Sequence, residues 1–310
     1  MKTITELFEK WNSITPYSDG FFLVSDDHPL AFHIGIQGEN EKVFIVLNTG
    51  KVNGIASSKA VSAENIPLEN GSYALRFSLK YPSLDELFVK LCWDLMVSSK
   101  DAEDPLKQFI DQYAKWQRLL QRVNDSILPA STQKGLIGEL LFMKERAGIE
   151  GIENALTAWV GPEGADQDFD FSTYWAEVKS TTIAGNTVTI SSLQQLDRVD
   201  KGFLTVYFMD KTTSHGQSIV SLDSAVSAVE SILETNKQRD LFACKLARVG
   251  FQDKDREKYK EYRFRLTNRK IYAVIEGFPR LTKNTVPAEI TDARYELNLA
   301  AIATFSTQEI

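Results

Sequence analysis

The chain reads as an α/β protein with a mixed-sheet core flanked by helices. It divides into a β-rich N-terminal module (1–82), a helical connector (83–127), the core (128–245) and a β-containing C-terminal segment packed on it (246–310). Three observations carry that reading. Short apolar runs separated by turn residues crowd the region before Pro82. Two stretches after Pro82 repeat apolar residues at three-to-four spacing. From Ser131 onward a helix, several strand-like runs and another helix follow one another, which is a layered α/β order and not that of a sandwich.

Phe21–Val24, Leu30–Gln37, Val43–Asn48 and Tyr73–Lys80 are the N-terminal strand candidates, and 37–40 is a plausible hairpin connection between the second and third. Ser83 with Glu86 three residues on has the form of a capping box, and Leu87, Leu91 and Leu95 give the helix that follows its apolar face. Residues 105–123 form a second helix, with Phe109, Tyr113, Trp116, Leu120 and Val123 on one stripe. Ser131–Ala147 is a third, with Leu136, Leu140 and Met143 in line. Strand-like runs follow at Asp168–Phe171, Trp175–Lys179, Thr187–Ser191 and Phe203–Met209, then a helix at Leu222–Leu233. The last third offers strands at Tyr262–Thr267, Lys270–Glu276 and Ala293–Leu299.

Composition removes several classes. With 43% hydrophobic and 25% charged residues, the 310-residue chain can bury a sizeable core and is not disordered. No apolar run has the length of a membrane span, and the start carries no apolar signal core, so a cytoplasmic protein without membrane partners is expected. Cys92 and Cys244 are far apart, and His28, His33 and His215 show no zinc spacing, which argues against disulfide scaffolds and zinc hydrolases. Phosphate-loop, dinucleotide and serine-elbow motifs are missing. The net charge of −7 hides an asymmetry: between Cys244 and Lys283 twelve Lys/Arg face five acids. A local basic surface binds phosphate even on an acidic protein, because charges beyond about 8 Å are screened at physiological salt. The alternation over 253–263 fits a solvated helix or loop equally well.

The informative stretch is GADQDFDFSTYWAEVK, from Gly164 to Lys179. Side chains alternate along a strand, so Glu177 and Lys179 share a face and Val178 points to the opposite, apolar side. Asp166, Asp168 and Asp170 are likewise in phase. Two antiparallel strands so composed present carboxylates and an ammonium at one edge of a sheet, with Thr187–Ser191 as a further pairing strand. Carboxylate oxygens suit Mg²⁺, with Mn²⁺ as a substitute. A lysine beside them offsets the charge that develops when a phosphodiester is attacked. Taken one at a time, Glu139 reads as an exposed helix glutamate, Gln195 as a helix-surface glutamine, and Glu177–Lys179 as a surface pair worth under about 1 kcal/mol. Tyr174 and Trp175 read as core residues, and His215 as a loop residue.

Together, Asp168, Glu177-Val178-Lys179 and Glu139 in Gly135-Leu-Ile-Gly-Glu-Leu-Leu resemble the PD-(D/E)XK nuclease superfamily of restriction endonucleases and junction resolvases. Trp159-Val-Gly-Pro, Gln167-Asp-Phe, Glu177-Val-Lys-Ser and Ile190-Ser-Ser-Leu-Gln-Gln-Leu are similar to a bacterial group of PD-(D/E)XK motif proteins associated with restriction-like defence. The resemblance implies a restriction-endonuclease-like core and Mg²⁺-dependent hydrolysis of DNA. It also implies Asp168 and Glu177 as metal ligands, Lys179 as the catalytic lysine, Glu139 completing the metal site directly or through water, and Gln195 positioning a phosphate or the lysine. Asp168 is preferred to Asp166 and Asp170 only by the Asp-Phe step of the family. Gln167 stands where many members carry proline. The basic stretch is then expected to contact phosphates, a homodimer is favoured for double-strand cleavage, and a restriction function needs partner proteins. A catalytically silent nucleic-acid-binding subunit of a defence complex, retaining the fold, is the alternative. The nuclease reading asks Glu139, Asp168, Glu177 and Lys179 to converge, with the carboxylates in metal-bridging reach.

Overall fold

The computed structural model describes residues 3–15, 20–38, 41–120, 127–308 and 310. Glu39 and Asn40 of the expected hairpin connection, and Val123 at the end of the expected second helix, lie outside them. The chain divides into two compact units, one of residues 1–126 with 239–252 and one of 127–238 with 253–310. Among the described residues no helix is long and apolar enough to cross a membrane.

The first unit opens with α1 (Ile4–Asn12), which the reading of this region as strands misses. Its signals were nevertheless local: Leu7 and Trp11 lie one turn apart and are fully buried, and Thr3 Oγ1 accepts the Glu6 N–H at 3.1 Å. Strands β1 (Phe22–Leu23), β2 (Ala31–Gln37), β3 (Glu41–Thr49), β4 (Val61–Pro67) and β5 (Tyr73–Leu79) make an antiparallel sheet in the order β1-β2-β3-β5-β4. Strand β4 is polar (VSAENIP) and gave no apolar signal. Alternation sends Phe32, Phe44 and Phe77 to one face. There they meet Phe109 and Tyr113 of α3 (Pro105–Leu120), which packs beside α2 (Asp85–Lys100). The expected capping box of Ser83 and Glu86 does not start α2. Pro82 opens a 3-10 turn over Pro82–Leu84 instead, Leu84 takes the cap position, and no side chain caps it. Residues 239–252 join this unit through Arg248, whose guanidinium lies 2.5 Å from Asp94, a carboxylate that also accepts from Gln112 Nε2 and Trp116 Nε1.

The second unit begins with α4 (Ala130–Glu150) and α5 (Ile152–Ala158). Its strands are β6 (Phe169–Asp170), β7 (Trp175–Thr181), β8 (Thr187–Ile190), β9 (Gly202–Thr212) and β10 (Ile219–Ser221). Helices α6 (Leu222–Glu230) and α7 (Asn236–Arg248) come next, α7 leaving this unit from residue 239 onward. Strands β11 (Arg263–Val274), β12 (Tyr295–Asn298) and β13 (Ser306–Thr307) complete it. The main sheet runs β10-β11-β9-β7-β6 with β13 on β11, and it is mixed because β7 and β9 are parallel. The two C-terminal strands expected over 262–276 are one strand, β11, whose register shifts between Leu266 and Asn268. The expected pairing of Thr187–Ser191 with the Glu177 strand is replaced: β8 pairs with β12 in a two-stranded sheet. The apolar side chains explain it, since Val188, Ile190 and Leu297 share one core with Leu204, Val206 and Phe208 of β9 and cover that face. Two glycines permit close approach. A Cβ on Gly202 would run into the Trp175 ring, and one on Gly138 would stand 2.5 Å from Ser180 Oγ, so α4 lies tight against β7.

Candidate active site

Every candidate site residue lies in the second unit, on four separate pieces of chain. Strand β7 contributes Glu177 and Lys179 on one face, while Val178 packs beneath Gly138 of α4 on the other. Glu177 is 1% exposed, and Lys179 Nζ lies 2.7 Å from its Oε1. Neither Glu177 oxygen receives a hydrogen bond of normal geometry. Asp168 enters from the residue before β6, which pairs antiparallel with β7. Its Oδ2 accepts the Val178 N–H at 2.8 Å, so the lysine strand itself orients it. Asp166 and Asp170, in phase with it along the sequence, are exposed, and Asp170 pairs with Arg198 at 2.9 Å. Glu139 comes from α4, where Trp159 Nε1 donates to its Oε2 at 2.8 Å.

The charges of these four groups act on one another. Burial raises Glu139 well above the ordinary carboxylate range and the Asp168 charge adds to it, while the Trp159 bond pulls the other way. Glu177 is pushed up to about 8, first by burial and then by Asp168, against the pull of Lys179. Asp168 is raised by enclosure, with Lys179 and the Val178 N–H opposing. For Lys179, burial favours the neutral amine, but Glu177 and Asp168 outweigh it and the ammonium is held more firmly than usual. Lys179 Nζ also lies 3.3 Å from Gln195 Oε1, which accepts the Ser191 N–H at 2.7 Å. The structure thus gathers Glu139, Asp168, Glu177, Lys179 and Gln195. Among the described residues, however, no three His, Cys, Asp or Glu form a group that could hold an ion. The donor chemistry still suits a hard divalent cation, since all three acids offer oxygen and the buried Glu177 Oε2 has no hydrogen bond.

Three residues that help to build the site, Trp159, Val160 and Gly161, carried no assigned role in the sequence. Trp159 holds Glu139, and the signal was a buried indole in need of an N–H partner. The next two residues of the Trp-Val-Gly-Pro motif, Val160 and Gly161, both donate their N–H to the Asp168 carbonyl, at 2.9 and 3.0 Å. A Cβ on Gly161 would lie 3.2 Å from Asp168 Oδ1, so the motif clamps the aspartate from behind.

The basic stretch is not one surface. Lys245 is buried in the first unit, where Arg248, half-buried, pairs with Asp94. Arg256 pairs with Asp223 and Glu230, Lys258 with Asp255, Lys260 with Glu257, and Arg269 with Glu145. Arg280 donates to the carbonyls of Leu196 and Arg198. Arg263 and Arg265 of β11 reach His215 and Ser214, and Lys270 lies over the Phe208 ring. Lys270 and Lys179 are both register partners of Val206, which puts them in one row across the sheet.

No curated protein and no solved structure shows a significant match to this chain. One family model does, over residues 8–300, described as "Putative PD-(D/E)XK family member, (DUF4420)". That span extends well beyond residues 135–197, where the recognisable motifs lie, and takes in both compact units. With a mixed-sheet α/β core, the Asp168 and Glu177-x-Lys179 constellation brought together in it, and a match over nearly its whole length, the chain belongs to this PD-(D/E)XK family.

Proposed function

We propose that the protein is a divalent-metal-dependent nuclease that hydrolyses DNA phosphodiester bonds. One observation carries the reading: three carboxyl groups and one ammonium converge in an enclosed site, leaving it short of positive charge. Ionisable groups so placed are costly to keep and mark functional sites. Asp168 and Glu177 would hold Mg²⁺ or Mn²⁺, with Glu139 completing the set. A divalent ion there supplies the charge that acidifies an attacking water and polarises the phosphoryl oxygen. Lys179 offers its ammonium to the oxygen on which negative charge grows. Gln195 aims that ammonium, Trp159 orients Glu139, and the Val178 N–H sets Asp168. Arg263, Arg265 and Lys270 supply sequence-independent phosphate contacts.

A second reading, a silent DNA-binding subunit of a restriction or defence complex, is favoured by there being no such ion-holding group among the described residues. Plasmid nicking at graded Mg²⁺ and Mn²⁺, beside Lys179→Ala, separates the two. The expected result is metal-dependent nicking that Lys179→Ala abolishes, with Mn²⁺ binding lost in Asp168→Ala. Absence of nicking together with equal DNA binding in EDTA and Mg²⁺ would instead establish the silent subunit.

A further inference from the structure

The residue before Asp168 is a glutamine, and it is buried, with 8% of its surface exposed. A buried primary amide needs acceptors for its N–H groups. Gln167 Nε2 donates to the backbone carbonyls of Gln194, at 2.8 Å, and Gln195, at 3.3 Å. Those carbonyls belong to a single 3-10 turn, Gln194–Leu196. The Gln194 carbonyl also accepts the Asp197 N–H at 3.1 Å within the turn, and Gln167 adds a second donor to it. The same turn carries the Gln195 side chain, whose Oε1 faces Lys179 Nζ and the Ser191 N–H. On the preceding residue, the Leu193 N–H donates to Asp292 Oδ1 at 3.0 Å, and Arg280 Nη1 donates to the Leu196 carbonyl at 2.7 Å, so Gln167 is one of three side chains that hold the turn. One residue therefore joins the backbone that bears Asp168 to the turn that orients the lysine.

We infer that Gln167 is a positioning residue: its amide fixes the Gln194–Leu196 turn, and through Gln195 it aims Lys179 Nζ at the reacting phosphate. The inference rests on the nuclease reading for its catalytic consequence, but its geometry is separate. A proline at this place could form no such link, having no side-chain donor. The glutamine is thus a structural alternative to that proline and not a neutral replacement.

Gln167→Met keeps length and volume and removes the donor. In metal-dependent nicking, Gln167→Met is expected to lower kcat roughly ten- to a hundredfold, as displaced catalytic groups do, with KM nearly unchanged. The double variant Gln167→Met/Gln195→Met should be no slower than Gln195→Met alone, because both changes break one path. A readout independent of activity is competitive acetylation of Lys179 followed by mass spectrometry, with the exposed Lys237 as internal reference. Lys179 should react faster in Gln167→Met and in Gln195→Met than in the wild type, and by the same factor. Multiplying losses in the double variant, or Lys179 labelling unchanged by Gln167→Met, would overturn the inference. Should the wild type cleave no DNA, the nuclease reading fails and labelling alone decides the positioning role. If Gln167→Met does not fold, Gln167→Asn, which keeps an amide on a shorter arm, carries the same comparison.

Discussion

His28 shows how a single side chain ties pH to the stability of the first unit. Its Nδ1 accepts the Leu30 N–H at 2.9 Å and its Nε2 lies 2.9 Å from the Met96 carbonyl, so the ring must be neutral with its proton on Nε2. Protonation would set an N–H against the Leu30 N–H. Partial burial is the main cause of its pKa lying below the ordinary 6.5, and the charge of Lys100 acts in the same direction while the two backbone contacts and Asp27 oppose. The unfolded chain therefore takes up the proton first. Stability from this group is present above 6.5 and is lost as pH falls toward the depressed folded value. Thermal unfolding followed between about pH 7 and pH 5 should show a midpoint falling more steeply in the wild type than in His28→Gln. Equal slopes would show that the ring does not titrate on unfolding.

At the scale of elements, the join between β7 and β9 decides whether the site forms. The two strands run parallel, with Trp175 opposite Gly202 and Glu177 opposite Leu204. Trp175 is fully buried, and its ring fills the space that a side chain at 202 would need. Gly202→Ala overpacks that contact, and a stability loss of about 1–3 kcal/mol is expected. A shift in the urea midpoint at constant m would report it, and an unchanged midpoint would mean the ring can move aside. Strand β8 teaches the same lesson from the other direction. Its alternation announced a strand correctly, but its partner is β12, more than a hundred residues on, and there Val188, Ile190 and Leu297 join the apolar core of Leu204, Val206 and Phe208.

Over the whole molecule, net charge and local charge point in opposite directions. The chain carries −7, yet Arg263, Arg265 and Lys270 stand together on β11, and Lys270 shares a sheet row with Lys179. Each cation that contacts phosphate releases counterions and steepens the salt dependence of binding. Arg263→Ala and Arg265→Ala should each weaken duplex binding across sequences and reduce the slope of log K against log salt by about 1. Ion-paired Arg256→Ala should leave the slope unchanged. An unchanged slope in Arg263→Ala and Arg265→Ala would locate the contact elsewhere.

The sequence by itself determined the α/β class, most strand and helix positions, and the identity of the chemical groups, because periodicity, side-chain type and short spacings are local properties. It brought Glu177 and Lys179 onto one face, since two residues on a strand suffice for that. Only the tertiary structure decided among Asp166, Asp168 and Asp170, whose local patterns are the same. Pairing with β7 turns one of them inward onto the Val178 N–H and leaves the others exposed. Tertiary structure likewise supplied the Trp159–Glu139 bond, the Gln167 link, and the attachment of 239–252 to the first unit through Asp94 and Arg248, which lie 154 residues apart. It also paired Arg256 with Asp223 and Glu230, 33 and 26 residues away along the chain. In each case the partner is far along the chain, and the choice follows from which apolar faces must be covered and which enclosed polar groups must be satisfied. No short window of sequence contains either quantity.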